Sequence, residues 1–235
     1  LHANAPQELA AACSRARRAL APLLAAASME SYSHTFPHLV RLQALQELQA
    51  AAPVVTAFGA LSPTFDVAVA RADSHLRKWE ERTTLCVNEV RALEPVVALR
   101  SCVAREVIAA AEAAQDTAGQ TTSRLNDTVR RVIGEGWLQI AKASRAAGNH
   151  ETAANALVQA RPYVPYAATL MSAKIEWEAG RTHHAIGRLE QQMLELTHAV
   201  EAVTDPEALG ANKEALARTI VRLARFLGET GESEA

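Results

Sequence analysis

The chain has 235 residues, of which 49% are hydrophobic, 21% are charged and only 4% are aromatic. These proportions are typical of a folded protein and exclude wholesale disorder. A formal net charge of −2 gives no electrostatic basis for binding nucleic acid, so we expect no direct nucleic-acid contact. Alanine, the strongest helix former, is abundant, which favours an all-α fold over one built from strands.

The cysteines Cys13, Cys86 and Cys102 are odd in number and lack CxxC spacing. This pattern indicates reduced thiols in an intracellular protein, and we interpret them as small buried residues. No apolar run reaches the roughly 18 residues that can span a bilayer, and no signal-peptide pattern follows Leu1. We therefore expect a soluble chain without membrane contact, and Leu1 in place of Met indicates a piece of a longer protein.

Residues 1–115 are expected to form an irregular α-helical solenoid segment. Helical stretches are predicted over residues 5–20, 23–32 and 65–81, and from residue 94 onward. Pro22 is expected to end or kink the first of them, and Pro37 to restart the chain before another apolar helical pattern. His34 and His38 have the i,i+4 spacing of two metal ligands, but Pro37 between them argues against a continuous helix. With no acidic or Cys ligand evident nearby, we expect no metal site.

Three further segments are predicted. Residues 116–126 begin with DTAGQTTS, the most loop-like stretch, and are expected to form the main internal boundary. A tetratricopeptide-like repeat pair is expected over residues 127–204. After a turn at Asp205 and Pro206, residues 205–235 are expected to form a terminal helix, over about residues 212–227, and a frayed polar tail.

The strongest regularity is an internal repeat over residues 137–197 with an offset of 32. Two helices per unit and a period in the thirties are typical of helical-hairpin arrays. The sequence therefore predicts an all-α fold, an α-solenoid of antiparallel helical hairpins resembling tetratricopeptide or HEAT repeats. The first unit places Trp137 at the large position of its first helix, whereas the second unit has Thr169 there. The predicted repeat positions, which are helix-crossing or turn residues, are Trp137, Ala141, Gly148, Ala153, Leu157, Ala173, Gly180, Ala185 and Leu189.

A search for catalytic motifs finds none. No Gly-rich phosphate loop, GxGxxG or GxSxG is present, and His150-Glu151 lacks the second histidine of a zinc protease. His150 and Glu151 are better interpreted as first-turn residues of a helix capped by Asn149. His183 and His184 are adjacent and point apart on a helix. We therefore expect no catalytic, cofactor-binding or metal-binding residue in this chain.

Four blocks resemble, in order, the FAT region of the phosphatidylinositol-3-kinase-related kinases, most closely the ATR type. They are Tyr32–Leu48, Leu93–Arg100, Ile133–Ala160 and Leu223–Gly231. The sequence departs from the family pattern at Ala154, where a tyrosine is usual, and at Gln43, where a histidine is common. Neither Asp-Phe-Gly nor Asp-Arg-His occurs here, so no catalytic residue can be carried over.

The resemblance implies a scaffold and regulatory segment that wraps the kinase domain of a much longer serine/threonine kinase. It implies nuclear localisation, signalling of DNA damage and replication stress, and a dedicated partner subunit. The expected partners are the kinase domain and neighbouring solenoid of the same longer chain. ATP and Mg²⁺ are expected only in the kinase domain, which this chain lacks.

A stand-alone tetratricopeptide-like adaptor is the alternative. Such an adaptor binds a short peptide through a row of residues on successive first helices of its repeats. Lys142 and Lys174 occupy equivalent positions, one in each unit, and are candidates for a carboxylate-binding row. Two lysine side chains that simply extend into solvent from similar helices explain the same pattern equally well.

Overall fold

A computed structural model describes residues 5–58, 65–85, 90–113 and 119–233. Within these ranges all regular secondary structure is helical, which confirms the predicted all-α class. The helices are α1 (Ala5–Glu30), α2 (Tyr32–Thr56), α3 (Phe65–Leu85), α4 (Val90–Ala113), α5 (Gly119–Ala146), α6 (His150–Ala160), α7 (Pro165–Glu178), α8 (Thr182–Ala202) and α9 (Pro206–Ser233). The chain divides into two compact units, unit 1 (Leu1–Gly136) and unit 2 (Trp137–Ala235).

The predicted end of a helix at Pro22 and the predicted restart of the chain at Pro37 are wrong. Helix α1 continues through Pro22, and α2 contains both Pro37 and Pro53. A proline inside a helix removes one backbone hydrogen bond and crowds the preceding turn, which is locally unfavourable. Tertiary packing over a long helix face can outweigh this local cost, and sequence reasoning weighed only the local term. Helix α2 also has a strong start, since the Ser31 hydroxyl accepts a hydrogen bond from the backbone N–H of His34 at 3.3 Å.

Two predicted boundaries also change. Residues 119–126, expected to be loop, form the first turns of α5, while residues 116–118 lie outside the described residues. The last helix is longer than the predicted 212–227, because α9 begins at Pro206 and continues through the described part of the tail to Ser233. Asp205 caps it, accepting a hydrogen bond from the Ala208 N–H at 3.1 Å.

The core of unit 1 contains a buried ion pair between α2 and α4. Arg100 donates two hydrogen bonds to the Glu47 carboxylate, from Nε to Oε2 at 2.7 Å and from Nη2 to Oε1 at 2.6 Å. The third guanidinium nitrogen, Nη1, donates to the backbone oxygen of Trp79 in α3 at 3.0 Å. Gln43 adds a further hydrogen bond to Glu47 Oε1 at 2.9 Å. One guanidinium group therefore ties three helices together.

Burying two opposite charges is tolerated only when their hydrogen-bonding capacity is well satisfied. Here the Glu47 side chain has no exposed surface and that of Arg100 is only 8% exposed. The guanidinium carbon also lies 5.6 Å from the Trp79 ring centroid, an additional cation–π contact. The fork of the guanidinium fixes the relative placement of α2, α3 and α4 because its donors have fixed directions.

Helices α4 and α5 approach closely at Gly136. A Cβ atom built on Gly136 would lie 3.0 Å from Cγ1 of Val97, a buried residue of α4. Within unit 1, α3 and α5 are also joined by a hydrogen bond from the Thr128 hydroxyl to Asp73 Oδ1 at 3.1 Å. The missing side chain at Gly136 therefore permits the contact between α4 and α5.

Unit 2 is a succession of antiparallel hairpins with a core between α7, α8 and α9. Its buried core residues are Ala173, Ala185, Leu189, Leu223 and Phe226. Arg188 on α8 pairs with Glu176 on α7 through two hydrogen bonds of 2.7 and 3.1 Å. Between α8 and α9, Gln192 Nε2 donates to the Thr219 hydroxyl at 2.7 Å.

The spacing of Leu216, Ile220, Leu223 and Leu227 in the sequence predicts one apolar stripe along the last helix, and this prediction is only partly correct. Leu223 is buried as expected, but Ile220 and Leu227 are exposed. The face of α9 that packs inward contains Thr219, Leu223 and Phe226 instead. The polar hydroxyl of Thr219 gives no sign of burial in the sequence. In the helix this hydroxyl donates a hydrogen bond to the Ala215 carbonyl at 2.8 Å.

We predict that Glu47→Ala destabilises unit 1 by about 3–5 kcal/mol, because it removes the carboxylate that accepts two hydrogen bonds from the buried Arg100 guanidinium. Amide hydrogen exchange across α2, α3 and α4 measures the loss. The double variant Glu47→Leu, Arg100→Met removes both charges and should be more stable than Glu47→Ala. If the double variant is less stable than Glu47→Ala, the buried charge of Arg100 is not the cause of the lost stability.

A second prediction compares two helix glycines. Gly187→Ala in α8 places its Cβ in open space and should stabilise the helix by about 0.5–1 kcal/mol. Gly136→Ala has the same backbone benefit but meets Val97, whose branched side chain is stiff, and overpacking costs about 1–3 kcal/mol. Local amide exchange should therefore slow in α8 and accelerate in α5. Slower exchange in both helices would contradict the close contact at Gly136.

Candidate functional site

The two repeat turns have the same hydrogen-bonding pattern. The Gly148 N–H donates to the Arg145 carbonyl and the Asn149 N–H to the Ser144 carbonyl, at 3.0 and 2.9 Å. One repeat later, Gly180 and Arg181 donate to Trp177 and Glu176 at the same two distances. This is the helix-ending motif that needs a left-handed residue, and the φ angles of Gly148 and Gly180 are 74° and 76°.

The other predicted repeat positions are buried or half-buried. The four alanines, Ala141, Ala153, Ala173 and Ala185, have no exposed surface. Leu157 and Leu189 are buried too, while Trp137 is half-buried at the start of unit 2. These residues position helices and present no reactive group, so the chemistry of unit 2 must come from the residues around them.

The structure distinguishes the two repeat lysines. Lys142 on α5 is exposed, whereas Lys174 on α7 is half-buried and lines a pocket of about 350 Å³. We call this the basic pocket. Its lining residues come from α5, α7 and α9 within unit 2 and are Arg145, Lys174, Trp177, Glu178, Arg222, Arg225, Phe226 and Glu229. Equivalent positions in the repeat therefore have different surroundings.

The basic pocket contains four cationic and two acidic side chains. Arg145 pairs with Glu178, and Arg225 pairs with Glu229 through a contact of 2.8 Å between Nε and Oε1. Among the described residues, no carboxylate lies within 4.0 Å of the charged groups of Lys174 or Arg222. Two positive charges therefore remain without an ion-pair partner in the described chain.

Burial lowers the pKa of Lys174 below its usual value, and the nearby cations Arg222, Arg145 and Lys142 lower it further. Glu178 acts in the opposite direction. The pKa of Arg222 is also lowered, first by burial and then by Arg225 and Arg145. In both groups burial is the main cause of the lowered pKa and repulsion by neighbouring cations is the second, while Glu229 raises the pKa of Arg222 as Glu178 raises that of Lys174.

An aromatic pair forms part of the pocket wall. The rings of Trp177 on α7 and Phe226 on α9 are stacked, with centroids 4.0 Å apart and planes 4° from parallel. The guanidinium carbon of Arg222 lies 5.8 Å from the Phe226 centroid. The pocket thus places cationic groups beside an aromatic pair, of which Phe226 is buried and Trp177 is half-buried.

The remaining candidate residues form no comparable site. Contrary to the prediction, His34 and His38 share one continuous helix, and Glu30 contacts His34 Nδ1 at 2.9 Å. Even so, the described residues contain no cluster of three or more His, Cys, Asp or Glu that could hold a metal. As predicted, Asn149 caps α6, accepting from the Thr152 N–H at 3.2 Å, with His150 and Glu151 in the first turn.

The cysteine interpretation is correct for one residue. Cys13 is buried, Cys102 is exposed, and Cys86 lies outside the described residues. None of the helices in the described ranges combines the length and apolar character that a bilayer-spanning segment needs.

The fold and pocket define an all-α protein of packed helical hairpins with a basic surface pocket and no catalytic motif in its sequence. A profile of the FAT domain matches residues 1–235, and the chain belongs to the FAT domain family. This confirms the resemblance found in the sequence.

The curated relatives are plant kinases. The chain is 28% identical over 184 residues to "Serine/threonine-protein kinase ATR" of Arabidopsis thaliana, and 28% identical over 182 residues to the protein of the same name in Oryza sativa subsp. indica. These matches cover 78% and 77% of the chain but only 6% of each relative. No solved structure matches.

We predict that Lys174→Gln stabilises unit 2 at pH 7 by up to about 1 kcal/mol, because it removes a repelled and partly solvated cation. The pH dependence follows from the lowered pKa of Lys174. Between that pKa and the usual value of 10.5, the unfolded chain binds more protons, so the stability of the unsubstituted chain rises with pH. Urea unfolding from pH 7 to 10.5 should show the advantage of the variant shrinking. An advantage that grows with pH would show that Lys174 is not repelled in the folded state.

Proposed function

We propose that this chain is a scaffold and regulatory segment of an ATR-type serine/threonine protein kinase that signals DNA damage and replication stress. The single observation that carries the proposal is the match to the FAT domain over residues 1–235, together with relatives that are themselves named ATR kinases. The role in checkpoint signalling and a nuclear location are what the family resemblance implies for the longer protein.

The structure supports a mechanical role for these helices. Alanines with no exposed surface lie inside unit 2, and a buried ion pair joins helices of unit 1. Elements joined in this way transmit displacement because packed interiors have low compressibility. The segment would hold the kinase domain and neighbouring solenoid of the longer chain, and ATP and Mg²⁺ would bind in that kinase domain. A dedicated partner subunit would add a further contact.

The family match and the structure support the hypothesis of a stand-alone adaptor less well than the sequence alone does. Membership of the FAT family places the chain among segments of long kinases, since the relatives are many times its length. Of the two equivalent lysines, only Lys174 lines the basic pocket, whereas Lys142 is exposed. Of the adaptor hypothesis we keep only the idea that a peptide binds, and we place that binding in the basic pocket.

The proposal predicts that unit 2 must be intact for phosphate transfer by the full-length protein. Leu189→Ala removes a fully buried side chain and should destabilise α8 by about 2–5 kcal/mol. We expect the full-length protein with Leu189→Ala to phosphorylate a serine/threonine peptide more slowly, measured as the rate per molecule of soluble protein.

The matched control is Leu194→Ala on the same helix, whose side chain is 58% exposed and whose activity should be unchanged. Amide exchange verifies that only Leu189→Ala loosens α8. If α8 loosens while the phosphorylation rate stays at the unsubstituted level, the scaffold role is wrong. Absence of a kinase domain elsewhere in the full-length gene product would also contradict the proposal.

A further inference from the structure

We propose that the basic pocket of unit 2 binds an acidic segment of a peptide, with its carboxylate held by Lys174 and Arg222. Neither the FAT family match nor the names of the relatives assign such a site. The inference is independent of the scaffold role, because it concerns what the pocket binds and makes no use of kinase activity.

The first argument is the unbalanced charge. Two of the four cations lining the pocket are paired with the two carboxylates, while Lys174 and Arg222 have no carboxylate partner among the described residues. Half-buried cations that repel one another raise the free energy of the empty pocket. An incoming carboxylate lowers it by accepting hydrogen bonds from both groups, and a guanidinium can donate two at once.

The second argument is an unsatisfied donor in the same wall. Arg145 Nε is buried and donates to no acceptor in the described chain, although the far end of its guanidinium pairs with Glu178. A buried N–H without an acceptor is unfavourable, and most such groups in folded proteins are satisfied. Arg145 therefore keeps one donor that the fold leaves unsatisfied, on the same side chain that lines the pocket.

The stacked rings determine what kind of anion fits. The half-buried Trp177 supplies the apolar surface of the pocket, because its stacking partner Phe226 is buried, and the Arg222 guanidinium carbon lies 5.8 Å from the Phe226 ring centroid. An inorganic anion makes no use of that surface. A peptide with an acidic side chain next to an apolar one uses both the cations and the rings.

The two carboxylates of the pocket favour the same ligand. Glu178 and Glu229 repel an anion of high charge density, which limits the net positive charge available to it. They also accept hydrogen bonds, and a peptide supplies backbone N–H donors whereas a fully ionised phosphate has few or none. Mixed charge around an apolar surface therefore matches an acidic peptide better than a compact polyanion.

The test measures binding of a fluorescent six-residue peptide of alternating glutamate and leucine to the full-length protein. We expect saturable binding that weakens about tenfold in K174Q and about tenfold in R222Q, since each variant loses a charged hydrogen bond. K174R keeps the charge and should bind as the unsubstituted protein does. A peptide with glutamine in place of glutamate should not bind.

The matched controls are K213Q and R218Q, which remove exposed cations of α9 that do not line the pocket. They should leave binding unchanged. Amide exchange of α7 and α9 confirms that K174Q and R222Q remain folded. Because the measured quantity is binding, its failure is distinct from failure of the kinase-activity test with Leu189→Ala.

Three outcomes would overturn the proposal. One is absence of peptide binding by the unsubstituted full-length protein, including the case where another part of that protein already covers the pocket. Another is equal weakening by K213Q or R218Q, which would indicate non-specific attraction. The third is displacement of the peptide by an equal concentration of inorganic phosphate, which would identify a simple anion site.

Discussion

Helices can approach closely only where the side chain between their backbones is small, and this constraint underlies both units. In unit 2 it is met by alanines with no exposed surface, such as Ala141, Ala173 and Ala185. In unit 1 it is met by Gly136, which lies against Val97. Larger apolar residues then fill the space beside each crossing, so packing density is maintained. The abundance of alanine is thus a geometric requirement of the fold as well as a source of helix propensity.

Local features of the fold could be predicted from the sequence. Gly148 and Gly180 were found by their spacing, because a helix-ending turn depends on a few adjacent residues. Features that depend on tertiary contacts could not be predicted from the sequence. Pro22 and Pro37 were expected to interrupt helices, yet both lie inside them. Burial of a long helix face offsets a local defect, and the extent of that burial is not visible in a short sequence window.

The sites show the same limit. Glu47 and Arg100 are separated by 53 residues, and no local pattern marks them as partners. Lys174 was noticed in the sequence, but only as the equivalent of Lys142. Its actual neighbours Arg145 and Arg222 come from other helices, and their convergence requires the three-dimensional arrangement. Charged residues with unremarkable spacing therefore formed the most distinctive surface of unit 2, and a charge plot would not have found it.

The ion pair of unit 1 also has a consequence during synthesis of the protein. Glu47 emerges from the ribosome 53 residues before Arg100, which corresponds to roughly 3–10 s at about 5–20 residues per second. During that interval Glu47 cannot pair with its eventual partner, so burial of its ionised carboxylate is unfavourable and α2 is favoured to stay solvated at this position. Completion of unit 1 thus waits for α4 to be made. The interval in which α2 is vulnerable to misassociation or to a chaperone is therefore set by the distance between two residues along the chain.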